Sequence, residues 1–98
     1  MPIYFIVDIE VHDQSTYMEY VARVPATVEQ YGGRYVVRTG EAVPVWGGWE
    51  PDRLIILEFD DVEALDRWRT SPEYAEVAPL RERSTKTKAI VVDKFDGK

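Results

Sequence analysis

The sequence predicts an α+β sandwich of strand–helix–strand–strand–helix–strand order, with a four-stranded antiparallel sheet and its helices on one face. Two observations carry this: β-branched and aromatic runs at residues 3–11, 34–39, 53–59 and 88–95, and amphipathic helical stretches that follow the first and third of them. The order is that of a split βαβ, ferredoxin-like domain. Right-handed crossovers place the first and third strands in the middle, and these are the two most apolar. At 98 residues, the chain is read as one domain over 1–98. A chain of this size buries only about 60–65% of its unfolded surface, so pairing with a second copy would help it.

In the first strand, IYFIVDIEV, every odd position from Ile3 to Val11 is apolar. Asp13 then offers a helix N-cap, and Tyr17, Tyr20, Val21, Val24, Val28 and Tyr31 form one helical stripe. Pro25 lies inside it, where a kink or break is expected. Gly32 and Gly33 end the helix. The second strand, RYVVRT, is read with Arg34, Val36 and Arg38 on one face and Tyr35 and Val37 on the other. Residues 41–52, EAVPVWGGWEPD, are too long for a tight hairpin. The third strand, RLIILEF, precedes Asp60 and Glu63, which resemble a capping box, with Val62, Leu65 and Trp68 on the buried side of the helix. Ser71, Pro72 and Glu73 start a further helical segment that Pro79 should interrupt. KAIVVDKF gives the last strand, and residues 96–98 should fray.

Composition excludes several classes of function. There are 12 Lys plus Arg against 18 Asp plus Glu, a net charge of −6, with no Cys and one His. Disulfides are impossible, and the usual nitrogen and sulfur ligands of zinc or haem are too few. An acidic chain is a poor nucleic-acid binder. The longest apolar runs, 3–7 and 54–57, are too short to cross a bilayer, and no signal-peptide pattern is present. A cytoplasmic protein is expected, without nucleic-acid or membrane partners, and no metal or cofactor site is assigned.

The strand faces point to a site. Ile3, Phe5, Val7, Ile9, Ile55, Leu57, Phe59, Tyr35, Val37, Ile90 and Val92 are read as the helix-covered face. The other would carry Tyr4, Ile6, Asp8, Leu54, Ile56, Glu58, Arg34, Val36, Arg38, Ala89, Val91 and Asp93. That face is too apolar for water, yet it holds charges that are costly to bury unpaired. It fits a homodimer whose two sheets pack face to face around a partly polar cavity. Glu58 would need Arg38, Arg34, a hydroxyl or a ligand. It reads either as a salt bridge at the dimer seam or as an acid or base beside an arginine that binds an anionic or carbonyl group.

Other residues carry two readings as well. His12 is solvated, or a proton carrier. Tyr17 and Tyr31 read as core, whereas Tyr20 or Tyr74 could point a hydroxyl into a cavity. Trp46 and Trp49 form an aromatic lid or pack on the partner subunit. Asp8 and Arg34 join the candidate ligand-binding set. Gly32 and Gly33 lack the lysine of a phosphate loop, the dipole of a helix explains Asp60 and Asp61, and Arg81, Arg83, Lys86 and Lys88 read as a solvated surface or an ion-pair zone between subunits.

The stretch YGGRYVVRTG at 31–40, with RLIILEF at 53–59 and SPEY at 71–74, resembles the domain of unknown function 1330 family. The Tyr17 and Tyr20 pair, Pro25, Trp68 and the 81–84 stretch extend the likeness over nearly the whole chain. The resemblance implies a dimeric α+β barrel of ferredoxin-like protomers, in the superfamily of small cofactor-free monooxygenases and muconolactone-isomerase-like proteins. The chain departs from the family in having Thr39 between Arg38 and Gly40 and in its bulky PVWGGWEP segment. The expected function is binding of a small aromatic or carbonyl-bearing molecule in the inter-sheet cavity. Cofactor-independent oxygenation, isomerisation or proton transfer would use Arg38 to polarise an oxygen and Glu58 or His12 to move a proton. The alternative is a non-catalytic metabolite-binding dimer or a purely structural one.

Overall fold

The structure, a computed structural model, describes residues 1–96; of the expected frayed end, residues 97 and 98 lie outside the described residues. The elements run β1 Ile3–Val11, α1 Gln14–Gln30, β2 Arg34–Thr39, β3 Arg53–Phe59, α2 Val62–Arg69, α3 Pro72–Ser84 and β4 Thr85–Asp93. They form one antiparallel sheet in the order β2-β3-β1-β4, with the two most apolar strands central as expected. The fold is ferredoxin-like α+β. The helices cover the face that carries Val7, Ile9, Ile55, Leu57 and Phe59, and close the core with Tyr17, Tyr20, Val24, Val28, Leu65, Trp68, Val77 and Leu80. Among the described residues, no helix is long and apolar enough to cross a membrane.

The caps explain where helices begin. Asp13 accepts from the Thr16 amide at 3.2 Å, and Ser71 accepts from the Tyr74 amide at 3.0 Å. At α2 the cap is Asp61, which accepts from the Ala64 amide at 2.8 Å, and not Asp60 as expected. Asp60 instead approaches Arg34 at 3.7 Å. Of the kink or break expected at Pro25, the break does not occur, nor does the interruption at Pro79, because both helices continue through their proline. Packing against the sheet outweighs the local cost. Pro25 has no N–H for the Val21 carbonyl, and the Arg38 guanidinium donates to that oxygen at 3.5 Å.

Two strand faces differ from expectation. In β2, Tyr35 pairs with Leu57 and Val37 with Ile56, so a bulge at Val36 adds one residue to the strand. Everything after it changes side: Arg38, paired with Ile55, faces the helices, while Arg34 and Val37 face away. In β4, Ile90 pairs with Ile6 and Val92 with Tyr4, so both lie on the open face, whereas Ala89 and Val91 lie on the helix side. Residues 89–92 are apolar without alternation, so their pattern holds no phase; the pairing with β1 sets it.

The crossing from α1 into β2 depends on close approach. Gly32 has φ +81°, which favours glycine. At Gly33 a Cβ would lie 2.6 Å from the Phe59 ring and 2.8 Å from Val28. Gly33→Ala is therefore expected to destabilise the protein by about 1–3 kcal/mol through overpacking, read as a lower urea midpoint. Asp61→Ala should cost about 1 kcal/mol and Asp60→Ala clearly less; equal losses would show that Asp61 is not the cap.

Candidate functional site

One cavity lies between the helices and the sheet; the cavity expected between the sheets of a dimer would form only with a second copy of the chain. The volume of the helix-side cavity is about 460 Å³, within the range of small-molecule sites. Phe5, Val7, Ile55 and Leu57 form its floor, and Tyr17, Tyr20, Val24, Trp68 and Tyr74 its helical wall. Thr87 and Ala89 border it from β4.

Aromatic rings line this space in sequence. The Tyr17 and Tyr20 rings stack at 6.0 Å, Tyr20 meets Tyr74 edge-on at 6.4 Å, and Tyr74 lies 4.5 Å from Trp68. Trp68 is fixed because its Nε1 donates to Thr27 Oγ1 at 3.0 Å, and the Thr27 hydroxyl donates to the Val24 carbonyl at 2.7 Å. The polar groups form a second line. The Tyr20 and Tyr74 hydroxyls are 3.0 Å apart, and Arg81 Nε donates to the Tyr74 oxygen at 3.1 Å. Arg38 lies over the Tyr35 ring at 5.2 Å and Arg53 over Tyr17 at 5.7 Å. Burial pushes the Tyr20 phenol far above its ordinary range, and pushes Tyr17 and Tyr35 up as well. These three phenols are neutral at physiological pH. The site thus offers flat apolar walls, neutral hydroxyls and guanidinium donors.

Of the expected site residues, the structure brings Tyr20, Tyr74 and Arg38 together here. Of the partners expected for Glu58, Arg34 is the one it meets; Arg38 pairs with Ile55 on the other face of the sheet. Glu58, only 6% exposed, faces away from the helices, and its Oε2 is 3.0 Å from Arg34 Nη2 and 3.0 Å from Lys94 Nζ. The Lys94 hydrogen bond, with that of Arg34, holds its carboxyl below the usual range. Asp8 accepts from Trp49 Nε1 at 2.9 Å. Both border a second cavity of about 440 Å³ with Glu10, Asp52, Lys86 and Lys88. Trp46 is 89% exposed, and His12 is exposed at the end of β1; neither lines either cavity.

Arg53, Arg81 and Lys94 were not among the expected site residues. Arg81 had a legible signal, since it follows Tyr74 by seven residues, two helical turns, and so shares its face. Arg53 precedes Ile55 and Leu57 by even steps on β3 and shares their side. Lys94 was read inside the last strand, but β4 runs Thr85–Asp93 and ends just before it.

The family model described as Domain of unknown function (DUF1330) matches residues 2–95. No curated protein matches the chain. Among solved structures, a protein of unknown function from Rhodopseudomonas palustris is similar with a TM-score of 0.84 at 18% identity, over 97% of this chain and 83% of that one. A dimeric ferredoxin-like protein of unknown function from a Jannaschia species matches with a TM-score of 0.75 at 13% identity, over 96% and 100% of the two chains. SnoaB, a cofactor-independent oxygenase from Streptomyces nogalater, matches with a TM-score of 0.72 at 14% identity, over 97% and 94%. These likenesses establish a shared fold.

The paired state of Glu58 sets a pH dependence. Its folded pKa is below the ordinary value of 4.5, so its stabilising contribution is complete above that value and is lost as pH falls through the folded one. Urea midpoints measured against pH should fall less steeply below about pH 5 in Glu58→Gln than in the parent protein. Parallel curves would show that the Arg34 and Lys94 contacts do not act on folding.

Proposed function

The chain belongs to the DUF1330 family, and from that premise we propose that it is a homodimer that binds a small aromatic or carbonyl-bearing molecule, each protomer using its own helix-side cavity. The observation that carries the reading is the cavity of about 460 Å³, walled by Tyr17, Tyr20, Trp68 and Tyr74 and edged by guanidinium groups. Rings favour a planar ligand, and the Arg81–Tyr74–Tyr20 line gives its oxygen atoms donors.

Dimerisation is proposed through the open sheet face. Tyr4, Ile6, Ile56, Ile90 and Val92 lie there beside the Arg34–Glu58–Lys94 cluster. Ile90 alone is 59% exposed. Such a face gains by leaving water, and the Jannaschia protein of the same fold is dimeric. In this reading Glu58 fixes the register of association and does not act on the ligand.

Catalysis is the second reading, favoured by the fold shared with SnoaB, which is a cofactor-independent oxygenase. Here the Arg81–Tyr74–Tyr20 line and Arg38 would serve as donors to an oxygen that gains negative charge in the reaction. Binding is the better supported of the two. Among the lining residues, Glu82 is the one carboxylate, it lies exposed, and none is a histidine.

Native mass spectrometry tests both parts. The protein should appear as a dimer at micromolar concentration, and Ile90→Asp should shift it towards monomer without unfolding; a monomeric parent protein would remove the face-to-face arrangement. A small molecule retained through gentle purification should be lost in Ala89→Trp, which fills the cavity from its exposed border. Retention of the same mass by that variant would place the ligand elsewhere.

A further inference from the structure

The charge inside the helix-side cavity is opposite to that of the chain. Its lining includes Arg38, Arg53, Arg69 and Arg81 against one carboxylate, Glu82, in a chain of net charge −6. Arg69 is neutralised by Asp66 at 2.6 Å. Among the described residues, the other three form no ion pair with any carboxylate. Arg81 donates to the Tyr74 hydroxyl oxygen and Arg38 to a backbone carbonyl at 3.5 Å, a long bond.

Arg53 is the sharpest case. Its Nε is buried and has no hydrogen-bond partner, and a buried donor left unpaired is destabilising. The adjacent Asp52 does not pair with it and directs its Oδ2 to the Val11 amide at 2.9 Å. The side chain is nonetheless held in place, between the Tyr17 ring at 5.7 Å and the bare backbone of Gly40, where a Cβ would come within 3.3 Å of Arg53 Cδ. Arg38, paired with Ile55, is its diagonal neighbour on the same side of the sheet. Two planar donor forks therefore flank one edge of an aromatic box, neither of them paired with a carboxylate.

We infer that the ligand of this cavity is a planar organic anion, an aromatic molecule with a carboxylate or another delocalised oxyanion, whose charged end docks on Arg53 and Arg38 while its ring lies among Tyr17, Tyr20 and Trp68. The inference rests on the cavity being a binding site and adds the charge of what it takes. Its chemistry is bidentate recognition: one oxyanion supplies the acceptor that Arg53 Nε lacks and the counter-charge that neither guanidinium has.

The probes are 2-naphthoate, its neutral isostere 2-naphthamide and inorganic phosphate, each titrated by calorimetry into the full-length protein at about pH 7. Naphthoate should bind at least about tenfold more tightly than naphthamide, and phosphate should neither bind nor compete at matched concentration. Arg53→Gln should bring the two naphthyl affinities to within about threefold of each other, with Arg53→Lys between them. Equal binding of naphthoate and naphthamide by the parent protein, lost in both cases in Ala89→Trp, would overturn the anion inference and leave the cavity standing. Failure of both naphthyl compounds to bind would overturn the cavity reading and the inference together. Phosphate binding as tight as naphthoate would overturn the organic part. A folded Arg53→Gln that keeps the tenfold preference would overturn the assignment to Arg53.

Discussion

The placement of Arg38 depends on one extra residue in an edge strand. Val36 bulges out of the β2–β3 ladder, and the side chains beyond it exchange faces. Without the bulge, Arg38 would pair with Leu54 on the open face, and the helix-side cavity would lose one of its cations. Pro25 acts on the same point from the other layer. By lacking an N–H it leaves the Val21 carbonyl without its helical donor, and Arg38 reaches across to that oxygen. A defect in a helix and a defect in a strand, each unfavourable by itself, meet at one guanidinium group.

The sheet thereby separates two kinds of electrostatics. On the open face a buried carboxylate is met by two cations, with both contacts on the same oxygen at 3.0 Å. On the helix face the cations outnumber the acids and rest on rings and a phenol oxygen. Arginine suits this role better than lysine, since its weakly hydrated planar group tolerates stacking on an aromatic face while its edge stays free for a ligand. The buried phenols reinforce the difference, because burial keeps Tyr17, Tyr20 and Tyr35 uncharged.

Most of the fold was legible because its signals are local. Strict alternation in β1, the continuous apolar run of β3, and the caps at Asp13 and Ser71 each follow from a few neighbouring residues. What escaped is non-local. The phase of β4 is set by its pairing with β1, since residues 89–92 do not alternate. The bulge in β2 is invisible in RYVVRT, where two adjacent valines allow either phase. Both prolines mark helix breaks in sequence, and packing against the sheet overrides them. The candidate site was legible in part for the same reason. Tyr20, Tyr74 and Arg38 were singled out singly, but their grouping depends on the bulge, and Arg81 was hidden in a basic run that reads as surface.

A cavity of this size is a cost in so small a protein. The groups around it form no close-packed contact across it, and a chain of 98 residues has little apolar area to offset such losses. Its walls are accordingly stiffened from outside: Trp68 by Thr27, and the junction of α1 with α3 by the Tyr31 and Gln30 bonds to Glu73 at 2.6 and 3.0 Å. The Tyr31 hydrogen bond also holds the Glu73 carboxyl below its ordinary range, so that this clamp is ionised at neutral pH. A void kept open by anchored aromatic rings, and edged by cations that the fold leaves without counter-charges, is the arrangement expected where packing density has been given up for a ligand. The same reasoning gives the open face its proposed part, since burying Tyr4, Ile6, Ile56, Ile90 and Val92 against a second copy would return apolar area that the cavity withholds from the protomer.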